Sequence, residues 1–266
     1  MSTPSYQYQW PSFPIWELVN PRRHTLMALS IFGLSMAVNV LGMSKFGWVL
    51  WQATAQTLAV MIIAMIPKWR DDLRNYGIVA MILSILLMAQ GFHMVEHLVQ
   101  WAQYYVFNYT MQNSVGLLSP ANTEWVHFVW NWTVLILIGI LISLGMRSNW
   151  AWALFIYGIA HTTDHTYLLL RFLQMSERLK ALCGTAIPAQ GLPGIIGQGG
   201  WLAQSELTRG SWVSRIPFIT TAIRLDVHFW WNMGETVLLL LAAHAFLSTI
   251  FYGTSSTKVI SIPTTP

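Results

Sequence analysis

Apolar residues run along this chain in stretches long enough to cross a bilayer, and short polar segments separate them. A membrane-spanning helix needs about 20 mostly apolar residues, and the sequence predicts six such helices. Their expected bounds are 25–43, 48–66, 78–105, 125–144, 150–172 and 226–250. The pattern therefore predicts an all-α integral membrane bundle of six spans at 25–252, after an interfacial segment at 1–24 and before a polar tail at 253–266.

Two polar segments interrupt the apolar pattern between spans. The charged residues of 67–75 predict a loop between the second and third spans. Prolines and a glycine-rich run predict a long extramembrane loop at 174–223, since both residue types break helices. We expect the glycine-rich run, Gly191 to Gly200, to be a flexible lid, and the long loop is also a candidate docking site for a larger membrane complex.

Composition agrees with lipid as the solvent of most of the surface. The 266 residues are 55% hydrophobic and 9% charged, against about 25% charged residues in soluble proteins. The net charge of +4 comes from loops and termini, and Lys and Arg in the short loops favour a cytoplasmic N-terminus. This charge gives no case for nucleic acid. The single cysteine, Cys183, excludes an internal disulfide and a cysteine-based metal cluster.

The polar motifs of the later spans occur twice and in the same order. His93–His97 in the third span and His161–His165 in the fifth both read His-x-x-acid-His. Val126–Asn131 opens the fourth span, and Val227–Asn232 opens the sixth and matches it at five of six positions. These matches predict a two-helix internal repeat, in which spans three and four correspond to spans five and six.

Helical spacing predicts that these polar residues meet. Residues at i, i+3 and i+4 share a helix face, and antiparallel neighbours bring the end of one span beside the start of the next. All six histidines are then expected near the membrane face that carries the long loop, which is extracytoplasmic in the orientation given above. Candidate metal ligands are His93, Glu96, His97, His127, His161, Asp164, His165 and His228.

Ionisable groups inside a membrane span are costly and mark a functional site by default. Imidazole and carboxylate together suit iron, copper or zinc, so we expect one or two ions. In the preferred arrangement each repeat holds one metal with its histidine pair, its acid and a histidine from the next span. Glu96 and Asp164 are ligands or proton carriers, and Glu235 is a candidate acid–base group because its counterpart is Val134.

The expected function is a metal-dependent membrane oxidoreductase that acts on a lipid-soluble or small substrate. Oxidation is favoured over hydrolysis because histidine-rich sites commonly hold iron or copper. Three other interpretations stay open: a haem- or chlorophyll-binding subunit, a non-catalytic accessory subunit and a purely structural polar network. A transporter is disfavoured, because no polar ladder continues into the opposite halves of these spans.

Overall fold

The computed structural model describes residues 14–183 and 192–252, and every regular element in those two ranges is helical. The α-helices are α1 (Pro14–Val19), α2 (Thr25–Phe46), α3 (Leu50–Tyr105), α4 (Glu124–Ser143), α5 (Asn149–Cys183), α6 (Trp201–Gln204) and α7 (Arg224–Tyr252). The predicted all-α class is confirmed. The predicted tail at 253–266 and residues 1–13 of the predicted interfacial segment lie outside the described residues.

Four of the described helices are long and apolar enough to cross a membrane, which is compatible with the predicted membrane protein. They are Arg22–Phe46, Leu50–Tyr105, Glu124–Ser143 and Arg224–Ile250. Large apolar side chains face outward on them, such as Leu26 at 78% exposure, and lipid tails are as apolar as leucine. The structure gives two fewer candidates than the six predicted spans for two reasons. α3 covers two predicted spans and counts once, and the polar centre of α5 lowers the hydropathy of that helix.

α3 is not one straight rod, because the chain reverses at Gly77. Gly77 has φ +86° and ψ 177°, a conformation that only glycine adopts readily. The Lys68 ammonium donates a hydrogen bond to Ser84 Oγ, 16 residues further along, whereas a continuous helix of that length would separate them by about 24 Å. α3 therefore consists of two antiparallel arms, a first arm at 50–76 and a second arm at 78–105.

The charged segment 67–75 belongs to the first arm, so the predicted loop is wrong there. The fully buried Lys68 ammonium pairs with the Asp72 carboxylate one turn later and donates a hydrogen bond to the Leu18 carbonyl of α1. A buried charge costs several kcal/mol unless it is paired, and here the pairing lets the helix continue through charged residues. The same lysine fastens α1 to α3.

The second arm of α3 packs with α4, α5 and α7 around one apolar core, and α1 contacts α3 and α7 beside it. The buried side chains of this core include Leu18, Leu83, Ile138, Leu141, Leu154, Leu239 and Leu247. α2 packs against α3, where Ser35 and Asn39 hydrogen-bond to Thr57 at 3.1 and 2.7 Å. In lipid such contacts rest on van der Waals packing and interhelical hydrogen bonds.

The long loop begins later and is better fastened than the sequence predicts. α5 continues past the expected start of the loop to Cys183, because charged residues such as Lys180 and Glu177, 3.6 Å apart, form a polar helix where the apolar pattern has stopped. The Gly197 and Gln198 amides each donate a 2.7 Å hydrogen bond to the segment before α7. The described part of the glycine-rich run is thus hydrogen-bonded to the segment before α7, and the expected lid role stays a prediction.

Candidate metal centre

Six histidines from four helical segments meet in one buried cluster. The second arm of α3 contributes two, α5 contributes two, and α4 and α7 contribute one each. Centroids of neighbouring rings are 4.6–5.9 Å apart. The six are His93, His97, His127, His161, His165 and His228, and all except the half-buried His93 are buried. The predicted convergence of these six residues is therefore observed in the structure.

The ring distances fall into pairs. The histidines one turn apart are separated by 4.6 Å in the second arm of α3 and by 4.9 Å in α5. His97 lies 5.7 Å from His127, and His165 lies 4.9 Å from His228. Across the cluster, the corresponding distances are 5.8 Å for His97 to His228 and 5.2 Å for His127 to His165. Three contacts of one histidine motif thus have a counterpart in the other that differs by at most 0.8 Å.

A chain of amides fixes the protonation of His97. The Asn122 amide donates to the Val115 backbone carbonyl at 2.5 Å, which leaves Asn122 Oδ1 to accept from Gln100 Nε2 at 2.7 Å. Gln100 Oε1 therefore accepts a hydrogen bond from His97 Nδ1 at 3.0 Å. A neutral imidazole carries one proton, so the lone pair of His97 is on Nε2, which lies 3.3 Å from Nε2 of His93.

Two further histidines have the same tautomer for different reasons. His127 Nδ1 lies 3.0 Å from the Thr123 backbone carbonyl, which can only accept a hydrogen bond. Thr123 also caps α4 through its side chain, so the helix start fixes this contact. His161 Nδ1 donates to the Glu235 carboxylate at 3.0 Å. In each of the three histidines Nδ1 donates a hydrogen bond and Nε2 carries the lone pair. Histidines that bind a metal through Nε2 have the same arrangement.

Several ring nitrogens of the cluster have no hydrogen-bond partner among the described residues. They are His161 Nε2, both nitrogens of His165 and His228 Nε2. A buried polar atom without a partner costs about 1–3 kcal/mol, so this concentration needs an explanation. As the rings stand, no group of three or more His, Cys, Asp or Glu within the described ranges is arranged to hold a metal ion. Two rings come close to such an arrangement: Nε2 of His93 and Nε2 of His97 are 3.3 Å apart.

The Glu96 carboxylate holds a loop. Its oxygens accept hydrogen bonds from the Leu117 and Leu118 amides at 2.9–3.0 Å. Gly116 sits against the same carboxylate, and a side chain added at Gly116 would collide with it. The expected ligand role of Glu96 stays a prediction, and in this structure these oxygens are occupied by backbone amides.

Asp164 makes the equivalent contact in the second half. Its Oδ1 accepts a hydrogen bond from the Ile195 amide at 2.6 Å, and a Cβ added at Gly194 would come within 2.6 Å of the same oxygen. Both acids thus sit against a glycine followed by two aliphatic residues. The sequence carried this signal, because Gly116 precedes two leucines and Gly194 precedes two isoleucines, but the sequence analysis missed it.

Glu235 lies inside the cluster rather than at its rim. It is 2% exposed, and its Oε2 accepts hydrogen bonds from His161 Nδ1 at 3.0 Å and from Gln90 Nε2 at 3.4 Å. The expected acid–base role stays a prediction. Asn131 and Asn232 each donate to the carbonyl of the histidine one turn earlier, at 2.8 and 2.9 Å, so these bonds lie within a helix rather than between helices.

The sequence analysis also missed an ion pair at the mouth of the cluster. The Arg224 guanidinium at the start of α7 pairs with the buried Glu124 carboxylate at the start of α4 and donates to the Leu192 carbonyl at 2.6 Å. Arg224 and His228 line two small cavities of about 40 and about 10 Å³. Arg224 therefore joins the two helices that carry single histidines.

We compared the chain with models of protein families, with curated proteins and with solved structures, and none of the three comparisons gave a match.

Proposed function

We propose that this chain is a multi-pass integral membrane metalloprotein whose histidine cluster holds one or two transition-metal ions, and that it is a metal-dependent oxidoreductase acting on a lipid-soluble or small substrate. The observation that carries the proposal is the anchoring of three buried imidazoles, those of His97, His127 and His161, through Nδ1, which leaves the lone pair of each ring on Nε2. A structural polar network would satisfy both nitrogens of its histidines, whereas His161 Nε2, His228 Nε2 and both nitrogens of His165 have no hydrogen-bond partner among the described residues.

The chemistry of the donor set suits a metal ion. Two nitrogens bound about 2.0–2.1 Å from one tetrahedral ion lie about 3.3–3.4 Å apart, and Nε2 of His93 is 3.3 Å from Nε2 of His97. Binding of the remaining ring nitrogens to a common ion would require side-chain rotation. Iron or copper bound there would supply redox chemistry, and zinc stays an alternative.

A centre in each half would explain the paired ring distances. His93 and His97 would form one centre and His161 and His165 the other, each completed by His127 or His228 from a neighbouring helix. The matched distances, the matched asparagine bonds and the matched acid-to-loop contacts support the two-helix repeat. The protein's own part is to orient the imidazoles of His97, His127 and His161 through Nδ1 and to hold the loops that bind Glu96 and Asp164.

Space favours an ion over a macrocycle. The two cavities lined by cluster histidines have volumes of about 40 and about 10 Å³, which is room for a water molecule or two. A haem or chlorophyll ring, the main alternative, would require the helices to separate. A visible spectrum distinguishes the two, because a porphyrin or chlorophyll absorbs strongly and a histidine-bound ion does not.

The proposal includes six spans with the N-terminus in the cytoplasm. Reversal at Gly77 supports counting the two arms of α3 separately. α5 has 35 residues, about 52 Å of helix, which exceeds the thickness of the hydrocarbon core. Its polar residues face the cluster rather than lipid, since His161, Asp164 and His165 are buried.

The test is the metal content of purified variants. We expect the double variant H97A/H165A to lose the iron, copper or zinc of the wild-type protein, because it removes one ligand from each centre. H24Q is the matched control: His24 bonds to Asp71 and is not part of the cluster, so its metal content should equal that of the wild type. Full metal content in H97A/H165A would refute the assignment of these ligands.

A further inference from the structure

An apolar cavity of about 410 Å³ lies between the two arms of α3 and reaches the edge of the histidine cluster. Its aromatic and methionine lining consists of Met61, Met65, Trp69, Met88, Phe92 and Trp130. The Trp130 ring lies 5.1 Å from the His93 ring, and Phe92 directly precedes that histidine. The cavity thus ends one side chain away from a proposed metal ligand.

One residue difference between the two halves accounts for part of this space. Ala89 and Tyr157 each precede the first histidine of their motif by four residues. The Tyr157 ring packs edge-on against Trp231 with centroids 4.8 Å apart, and its hydroxyl donates to the Trp230 carbonyl. Ala89 has no ring to place against Trp130, the counterpart of Trp231, so the space beside Trp130 stays open.

The lining points to a ring compound with hydrogen-bond acceptors. Three aromatic and three methionine side chains line the cavity, and aromatic and thioether groups both make favourable contacts with flat rings. The indole N–H groups of Trp69 and Trp130 are buried and have no hydrogen-bond partner among the described residues. A buried Trp N–H usually finds an acceptor, so an occupant with a carbonyl oxygen would satisfy a need that is already present.

Size and access fit the same occupant. Ligand cavities in proteins have volumes of about 300–1,000 Å³, a range that includes this one. Ile62 on its lining is 56% exposed on the outer surface of the first arm. A molecule dissolved in the bilayer can therefore enter from the side.

We propose that this cavity binds a lipid-soluble ring carbonyl compound of the quinone class, with the ring among the aromatic and methionine side chains and a carbonyl oxygen accepting from an indole N–H. The binding of this compound does not depend on the proposed function. Only its identification as the substrate or electron partner of the histidine site rests on that function. Acyl-ester lipid, which also carries carbonyl groups, is the occupant that the test has to separate from it.

The test is equilibrium binding of a decyl-substituted benzoquinone to the full-length protein in phosphatidylcholine nanodiscs. We expect one molecule to bind per chain despite the excess of ester lipid. A89Y places the residue of the second half beside Trp130 and should weaken binding by at least about tenfold. A160Y is the matched control, because Ala160 is an exposed position of α5 and the same side chain is added there away from the cavity.

A second pair of variants tests the hydrogen bond. W130F keeps a ring but removes the N–H, so binding should weaken by about two- to tenfold, the value of one hydrogen bond. W231F, the equivalent change in the second half, should leave binding unchanged. If A89Y does not fold, I85F fills the same cavity from the second arm of α3, and it should weaken binding in the same way.

The outcomes separate this inference from the proposed function. Metal content is measured on the same samples, and A89Y should keep the wild-type value. A protein that loads metal but does not bind the quinone, or whose A89Y variant binds it as tightly as the wild type, overturns the cavity assignment alone. Displacement of phospholipid but not of quinone by A89Y also overturns it, in favour of a lipid site. Quinone binding to a metal-free protein leaves the cavity assignment standing and refutes the metal proposal.

Discussion

The histidine site has two halves: one is formed by the second arm of α3 and α4, the other by α5 and α7. Each half contributes three histidines at equivalent positions, but the groups that accept hydrogen bonds from these histidines differ. In the first half a neutral amide, Gln100, accepts a hydrogen bond from His97 Nδ1. In the second half a carboxylate, Glu235, accepts a hydrogen bond from His161 Nδ1. Because the histidine positions match and the supporting charges differ, the two proposed metal centres should differ in affinity and in preferred oxidation state.

The first comparison of the two halves concerns the loops whose amides bind Glu96 and Asp164. E96A leaves the Leu117 and Leu118 amides without their acceptor, at a cost of about 1–3 kcal/mol for each unpaired donor. D164A removes the acceptor of the Ile195 amide. We therefore expect amide hydrogen exchange to rise at 116–118 in E96A, and by less at 194–196 in D164A. Equal, unchanged protection in both variants would refute a loop-holding role for these acids.

The Glu235 carboxylate of the second half can be replaced by valine, the residue at the equivalent position of the first half. E235V copies Val134 and leaves His161 Nδ1 without an acceptor. Loss of such an outer partner typically weakens metal binding by about 10- to 100-fold, so competition with a chelator should remove metal from one centre first. In the reverse variant V134E, the new carboxylate would lie on the face of α4 that packs in the core, so misfolding is expected there and E235V is the informative exchange.

Gln100 and Leu168 allow a reciprocal exchange, since each follows the first histidine of its motif by seven residues. Q100L removes the anchor of His97 and should weaken one centre by about tenfold, the lower end of the range for outer partners. L168Q offers an acceptor to His165, whose nitrogens have none among the described residues. We expect L168Q to retain its metal at higher chelator concentrations than the wild-type protein does. A lower metal affinity of L168Q would contradict the inferred correspondence between Gln100 and Leu168.

The smallest effect is expected from the glycines beneath the acids. Gly116 has φ +71° and touches Glu96, whereas Gly194 touches Asp164 without a positive φ. G116A should therefore destabilise its loop by about 1 kcal/mol more than G194A does, because a non-glycine residue at positive φ is strained. Hydrogen exchange at the two loops measures the difference, and a larger effect in G194A would contradict this ranking.

The sequence was sufficient to predict where the histidines meet, but it did not identify what holds them. Spacing of three and four residues places His93 and His97 on one face, and antiparallel spans then bring the motifs together. The amide chain through Gln100 and Asn122 depends on a loop conformation that no periodicity encodes. The Gly-Leu-Leu and Gly-Ile-Ile segments are too short to stand out, and their different distances from the acids hid the match.

The predicted ends of two helices were wrong where charged residues follow the apolar stretch, and the reason is physical. Hydropathy ends a span where charge begins, but Lys68 is buried by pairing with Asp72 and Leu18, so the first arm continues to Gly77. α5 likewise continues to Cys183 through residues that pair with each other on its exposed side. A hydropathy window contains both ion pairs, but it counts their charges as if they were unpaired. The contact of Lys68 with the Leu18 carbonyl, 50 residues away, lies outside any such window.

The most direct test of the account is elemental analysis combined with a visible spectrum of the wild-type protein, purified in detergent from its native membrane. The account predicts one or two iron, copper or zinc ions per chain and no porphyrin or chlorophyll band. A protein without metal, or one whose spectrum shows a macrocycle, would contradict the claim that these six histidines form a metal centre.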